Sequence, residues 1–182
     1  MICYSHSMSN IDKDIVKDFV DESKVIIQDL VDLLENIEGD FSQVSRLEEY
    51  GQRVDRVMGG AKSLAMMVPP EHALHTVADY AALCKAVGYK ASQIDNNPQF
   101  YDICVELLLD ATETLQDWIE RLEADESAQD LKNSFTATFL ERLRWVSNQF
   151  GADVRASVDA KKTTKKMDQN EIDELLRKLG VG

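Results

Sequence analysis

The chain has 182 residues, 44% of them hydrophobic, which suits one sizeable core and leaves little room for a second domain. Its formal net charge of −13 disfavours contact with the phosphates of nucleic acid. The three cysteines lack CxxC spacing, which argues against a disulfide framework and a zinc site. Glycine and proline are few, which argues against a β-rich fold. There is no apolar run of about eighteen residues, which argues against a membrane span.

The first predicted elements are two long amphipathic helices. Apolar residues recur at helical spacing from Ile11 to about Ile37, and Gly39 is positioned to end this helix. Asp40 can cap a second helix, which must stop before the proline pair that begins at Pro69. The apolar stripe of the first helix consists of Ile15, Phe19, Ile26, Leu30, Leu34 and Ile37.

Two more helices follow the proline pair. The third is predicted from Glu71 to about Val87, with a break at Gly88. Asn97 as a cap and Pro98 at the first helical position open the fourth, whose apolar residues continue to Leu122.

A fifth helix follows the segment "ADES", carries apolar residues from Leu131 to Phe150, and ends at Gly151. Short connections make successive helices antiparallel neighbours. We therefore expect an all-α, antiparallel bundle of about five helices over residues 9–151. The start of the chain lacks a basic segment followed by an apolar one, so we expect a cytoplasmic protein, with Met1 or Met8 left open as its first residue.

Residues 152–166 are predicted to form a flexible linker. The stretch "ADVRASVDAKKTTKKM" holds five basic and two acidic residues, a net charge of +3, and has almost nothing apolar to bury. A separate C-terminal helix is predicted over residues 167–182.

This C-terminal helix has strong local signals. Asp168 and Glu171 can form a capping box, Met167 can pack on Ile172, and Gly180 can end the helix. Because so short a helix is unstable by itself, we expect it to be unfolded in the free chain and to fold on a partner. Its apolar face consists of Ile172, Leu175, Leu176 and Leu179.

The stretch "MDQNEIDELL" resembles the peptide (Ser/Asp)-Gln-x-Glu-Ile-Asp-x-Leu-Leu with which flagellar switch proteins of the FliM family bind phosphorylated CheY. It is also similar to the tail of CheY phosphatases of the CheZ family. The resemblance implies a CheY-type response regulator as partner and a role in chemotaxis. The residues it implies as contacts of the receiver domain are Gln169, Ile172, Asp173, Leu175 and Leu176, with Leu179 on the same face.

The stretch "VDRVMGGAKSLAMM" resembles a histidine phosphotransfer (Hpt) domain, in which a helix carries His-x-x-Lys-Gly-(Gly/Ser)-Ala. Gly59, Gly60 and Ala61 match this pattern, whereas Asp55 replaces the phosphorylated histidine and Met58 replaces the lysine. A carboxylate cannot form phosphohistidine. The resemblance therefore implies a surface that binds a partner without phosphotransfer, where Gly59 and Gly60 admit the partner's backbone.

The same helix, "EEYGQRVDRVM", resembles the CheZ motif Asp-Leu-Thr-Gly-Gln, with Glu48 replacing the aspartate. The resemblance implies that Gln52 orients water for attack on the receiver's aspartyl phosphate, while Glu48 or Asp55 positions the receiver's lysine. The receiver's own Mg²⁺ would neutralise the phosphate charge. These three residues share one helical face, which could equally be an ordinary solvated surface.

Several alternatives stay open. Asp125 and Gln129 have the same spacing as Glu48 and Gln52, although Asp125 is also placed to cap a helix. The chain could be a non-catalytic adaptor that holds or sequesters the regulator or, less favourably, a phosphotransfer protein that uses His75. A CheZ-like chain would form a homodimer, whereas an Hpt-like chain would be a monomer.

Overall fold

The computed structural model describes residues 11–124, 126–153 and 169–181. In these ranges the regular structure is helical, with seven α-helices and two short 3₁₀ segments. The predicted all-α class is confirmed, while the finer assignment to an Hpt-like or CheZ-like bundle stays a proposal. No helix in the described ranges combines the length and the apolar character needed to cross a bilayer.

The first four α-helices are long and carry most of the core. Their bounds are α1, Lys13–Ile37; α2, Leu47–Ala65; α3, Ala73–Ala91; and α4, Pro98–Arg121. A 3₁₀ segment, Phe41–Arg46, precedes α2, and another, Leu122–Ala124, follows α4. In space α2 packs along α3, and α1 and α4 pack beside them.

The remaining helices are α5, Ala128–Lys132; α6, Ala137–Asp153; and α7, Gln169–Lys178. α6 thus continues two residues into the segment predicted as a linker. Residues 154–168, which include the rest of that segment and the predicted Asp168 cap, lie outside the described residues.

Several predicted helix ends are confirmed. The Asp40 carboxylate accepts the Ser42 N–H at 3.1 Å and so caps the 3₁₀ segment that leads into α2, whose own N-cap is Arg46. Gly39 has a φ of 71°, a left-handed conformation that suits glycine. The Asn97 side chain accepts the Phe100 N–H at 3.0 Å, with Pro98 opening α4. These ends were predictable because each depends on residues adjacent in sequence.

The fifth predicted helix is in fact two helices. Ser127, not Asp125, caps α5 in a capping box with Asp130. α5 ends at Lys132, and a turn over residues 133–136 separates it from α6. In that turn the Ser134 hydroxyl accepts the Trp118 indole N–H at 2.8 Å, and Thr136 accepts the Phe139 N–H at 3.2 Å. These side-chain bonds favour the turn over a continuous helix.

Two further sequence predictions are wrong. α3 does not break at Gly88 but continues to Ala91, because Gly88 is used for close packing. Ile15, assigned to the apolar stripe of the first helix, is 44% exposed, whereas its neighbour Val16 is buried.

Close approach of α2 and α3 depends on two glycines. A Cβ at Gly88 would lie 2.7 Å from a ring carbon of Tyr50 and 3.3 Å from the Leu47 carbonyl oxygen. A Cβ at Gly51 would lie 3.0 Å from ring carbons of Tyr89. Each glycine therefore receives an aromatic ring from the other helix, which fixes the register of the pair.

The core between the helices contains large aromatic residues with satisfied polar groups. The buried Tyr50 hydroxyl lies 2.9 Å from Thr112 Oγ1, and the buried Tyr80 hydroxyl donates to the Ala111 carbonyl at 3.0 Å. Tyr80 also packs on Trp118, with ring centroids 4.7 Å apart. Burial raises the pKa of both tyrosines well above the ordinary value, so they stay neutral.

The C-terminal helix α7 packs against α3 and α6. The expectation that this helix is unfolded in the free chain is therefore wrong, because α3 and α6 provide the apolar partner that a short helix needs. The predicted stop at Gly180 is confirmed, with a φ of 86°. The Val181 N–H donates to the Leu176 carbonyl at 2.8 Å, and the Gly180 N–H donates to the Arg177 carbonyl at 3.1 Å, which completes a Schellman motif.

Candidate functional site

Glu48 and Gln52 lie on the outer face of α2, four residues apart and both exposed. Within the described residues, neither side chain forms a hydrogen bond or an ion pair. The opposite face of the helix is buried in the core, so the backbone that carries both side chains is fixed. The buried residues on that opposite face are Leu47, Tyr50, Gly51, Val54, Val57, Ala61 and Ala65.

Asp55, the third predicted member of this face, has a partner within the molecule. Its carboxylate lies 2.5 Å from the ammonium of Lys85 on α3. The Lys85 side chain is 25% exposed and that of Asp55 is 47% exposed, so the pair lies at the protein surface rather than in the core. Asp55 is therefore less available than Glu48 to pair with a lysine of a binding partner.

Tyr89 completes this surface. Its half-buried ring lies against Gly51, and the Lys85 ammonium is 6.0 Å from the ring centroid. Its pKa is raised, first because burial removes the hydroxyl from water, and then because of the negative charges of Asp55 and Glu48, with Lys85 acting in the opposite direction. The term α2/α3 face is used below for Glu48, Gln52, Asp55, Lys85 and Tyr89.

Lys85 and Tyr89 were not predicted from the sequence as site residues. They are four residues apart on the third helix, so a shared helical face was predictable. Their position opposite Asp55 and Gly51 was not, because it depends on the register between α2 and α3.

The two arginines that follow Gln52 on α2 contact α1 instead of the α2/α3 face. Arg53 pairs with Glu49 at 2.5 Å and approaches Asp29 at 3.9 Å. Arg56 pairs with Glu22 at 3.1 Å, with both side chains 66% exposed. Exposed pairs of this kind contribute little stability and form a solvated surface.

The two glycines predicted to contact a partner have different surroundings. A Cβ at Gly59 would have no atom within 4 Å apart from its own helix, so this position is open. A Cβ at Gly60 would lie 2.7 Å from a ring carbon of Phe19. The expectation that Gly60 admits a partner's backbone is therefore wrong, because α1 of the same molecule already occupies that space.

The predicted receiver-binding residues of α7 are engaged within the chain. Gln169 Nε2 donates to Ser147 Oγ on α6 at 2.9 Å and to Asp173 Oδ1 at 3.1 Å. Asp173 itself is exposed. The apolar residues of the face are all buried, namely Ile172, Leu175, Leu176 and Leu179.

The alternative site residues lie elsewhere. Gln129 is exposed on the short helix α5, where its amide donates to Asn133 Oδ1 at 2.9 Å, and Asp125 lies outside the described residues. His75 is half-buried on α3, with Nε2 3.5 Å from the Val68 carbonyl oxygen. Across residues 11–124, 126–153 and 169–181, no three His, Cys, Asp or Glu side chains are grouped closely enough to hold a metal ion.

Comparison with known proteins adds no assignment: no family model, curated protein sequence or solved structure matches this chain.

Proposed function

We propose that this chain is a chemotaxis regulator that binds a phosphorylated CheY-type receiver through α7 and promotes its dephosphorylation with the α2/α3 face. The observation that carries the proposal is the pair formed by Glu48 and Gln52. Both side chains are exposed, lie one helical turn apart on a fixed helix, and are unengaged among the described residues. Because they are exposed and make no hydrogen bond or ion pair among the described residues, these two side chains are available to a partner's active site.

The chemistry requires a neutral group that contacts water and phosphate together. The Gln52 carbonyl oxygen would accept a hydrogen bond from the attacking water, and its amide N–H would donate to a phosphoryl oxygen. The water oxygen bonds to phosphorus as the bond from phosphorus to the receiver's aspartyl oxygen breaks. The receiver recovers its carboxylate, and the inorganic phosphate carries away the protons of the water.

Charge decides between the two acidic residues proposed to position the receiver's lysine. Asp55 is already neutralised by Lys85 at 2.5 Å, whereas Glu48 has no cationic partner among the described residues. We therefore assign the positioning role to Glu48. The Mg²⁺ that this reaction needs would belong to the receiver, as the resemblance to CheZ implies.

Rigidity of α2 supports this role, because positioning water requires a backbone that does not move. Gly51, which precedes Gln52, packs against the Tyr89 ring, and the neighbouring Tyr50 is fully buried. The side chain of Gln52 thus projects from a backbone whose two preceding residues make aromatic contacts between α2 and α3.

The test measures phosphate release from a phosphorylated CheY-type receiver in the presence of the full chain. Gln52→Ala is expected to lower the acceleration on the order of a hundredfold while receiver binding is retained. Gln129→Ala removes another exposed amide at the alternative site and is expected to leave the rate unchanged. Loss of activity in Gln129→Ala but not in Gln52→Ala would move the site to α5.

The second candidate function is a non-catalytic adaptor that holds or sequesters the regulator. It is supported by the Asp55–Lys85 ion pair, which neutralises the residue that replaces the phosphorylated histidine of the Hpt-like sequence pattern. In this case the receiver would bind, but its rate of autodephosphorylation would not change. Phosphotransfer through His75 is the third candidate, and acid-labile label on wild-type chain that is absent from His75→Ala would support it.

A further inference from the structure

We propose that the groove between α3 and α6 is a storage site for α7, and that self-docking of α7 competes with receiver binding. The proposal rests on the proposed function in one respect, namely that α7 is the element that binds the receiver. It adds an internal competitor that sets the fraction of molecules able to bind the receiver at any time.

The first observation is the extent to which docking covers α7. Ile172 is 0% exposed and Leu179 is 2% exposed, and the last described residue, Val181, is also buried. The opposite face is charged and exposed, with the Lys178 ammonium 3.6 Å from Glu174. The docked helix therefore presents no apolar surface with which to bind a second partner.

The second observation is that the polar contacts of docking are incomplete. Gln169 Nε2 bonds to Ser147, but Gln169 Oε1 is buried with no hydrogen-bond partner in the described structure. A buried acceptor without a donor disfavours the docked state relative to one in which water or a partner reaches the oxygen. This feature suits a contact that opens reversibly.

The third observation is that the end of α7 is closed by local bonds. The hydrogen bonds of the Schellman motif join only residues between Leu176 and Val181. These C-terminal bonds do not depend on α3 or α6. The segment can therefore leave the groove and form the same helical end on another surface.

Docking and receiver binding are mutually exclusive because they use the same side chains. The apolar residues assigned to the receiver contact are buried against α3 and α6, and Gln169 is bonded to Ser147. When only a fraction of molecules is undocked, the apparent dissociation constant for the receiver rises by the inverse of that fraction. A free peptide with the α7 sequence lacks this competitor.

The experiment compares receiver binding by the full chain with binding by a peptide of residues 167–182. The peptide is expected to bind about tenfold more tightly or better, which corresponds to about 10% or less of undocked chain. Ser147→Glu places a charge under Gln169 and is expected to raise the affinity of the full chain at least to that of the peptide, since the variant also keeps the α2/α3 face. Asn148→Glu adds the same charge at the exposed neighbouring position and is expected to leave the affinity unchanged.

Hydrogen exchange without receiver provides an independent measurement. Because an undocked helix of this length melts, amides of residues 173–179 are expected to be protected in wild type and Asn148→Glu, and to lose most of that protection in Ser147→Glu. If the wild-type chain and Ser147→Glu bind the receiver equally well, self-competition is overturned, because both keep the α2/α3 face. If the peptide does not bind while protection behaves as expected, the proposed receiver partner fails and the storage site remains.

The test also identifies which molecule covers α7. Protection that is independent of protein concentration supports docking of α7 on its own chain. Protection that appears only as dimers form would show that α7 of a second copy occupies the groove, and would overturn this form of the proposal.

Discussion

The Lys85 ammonium on α3 lies 2.5 Å from the Asp55 carboxylate on α2. One turn earlier on α2, Gln52 is exposed, with Glu48 a further turn away. A face that looks uniform in the sequence is thus divided into a paired acid and an unpaired one. Asp55 is thus paired with Lys85, whereas Glu48 is unpaired among the described residues, and this difference can be tested by mutation.

Glu48 and Asp55 are expected to differ in their effect on receiver dephosphorylation. Glu48→Gln removes the unpaired negative charge and is expected to lower the hydrolysis rate about tenfold, because the receiver's lysine loses its partner. Asp55→Asn is expected to change the rate less than about threefold, since its charge is already directed at Lys85. Phosphate release under single-turnover conditions measures both, and a larger effect of Asp55→Asn would reverse the assignment.

The ion pair between Asp55 and Lys85 is expected to contribute little to stability. A cycle of Asp55→Ala, Lys85→Ala and the double variant should give a coupling free energy of about 0.5 kcal/mol, because both side chains are partly exposed. Urea unfolding at low and high salt measures it, with a smaller coupling expected at high salt. A coupling above about 2 kcal/mol would indicate that the pair is far less hydrated than its exposure implies.

Alanine at two helical glycines is expected to have opposite effects on the free energy of unfolding. Gly88→Ala should destabilise the fold by about 1–3 kcal/mol, because its Cβ would lie 2.7 Å from the Tyr50 ring and close to the Leu47 carbonyl. Gly59→Ala is the matched control in open space and should stabilise by about 0.5–1 kcal/mol through helix propensity. Urea denaturation measures the free energy of unfolding of both variants, and equal effects would contradict the close packing of α2 on α3.

Stability is expected to fall as the pH rises above about 9. Burial raises the pKa of both Cys84 and Cys104 to about 12, whereas an exposed thiol in the unfolded chain titrates near 8.5. Above the lower value the unfolded state binds fewer protons than the folded state, so the free energy of unfolding decreases with pH until the folded thiols ionise. The stabilisation is fully present below about pH 8.

The expected slope is about 1.4 kcal/mol per pH unit for each thiol where only the unfolded form is ionised. Urea unfolding between pH 8 and 10 measures it. The double variant Cys84→Ala/Cys104→Ala is the control and should show a clearly smaller slope. An equal slope in both proteins would mean that the two thiols are not buried as the structure places them.

The sequence correctly predicted those helix ends whose hydrogen bonds and backbone conformations involve only residues close together in the chain. The caps at Asp40 and Asn97 and the stops at Gly39 and Gly180 belong to this class. The break predicted at Gly88 was wrong because a helical glycine signals either an end or a close contact. At Gly88 the contact with the Tyr50 ring of α2 shows that the glycine serves close packing and does not end the helix.

The candidate site was predictable in part. The spacing of Glu48, Gln52 and Asp55 places them along one side of α2, as the helix confirms. The pairing of Asp55 with Lys85 was not predictable, since the two residues are thirty positions apart and meet only through the register of α2 on α3. The same limit applies to Phe19, which fills the space beside Gly60.

The sequence alone determined the all-α class, the four long helices and the amphipathic character of the C-terminal helix, because helical periodicity and capping act over three to seven residues. The tertiary structure alone decided which apolar faces meet. It placed α7 on α3 and α6, since a hydrophobic face has no direction of its own and is satisfied by any complementary surface within reach of the chain.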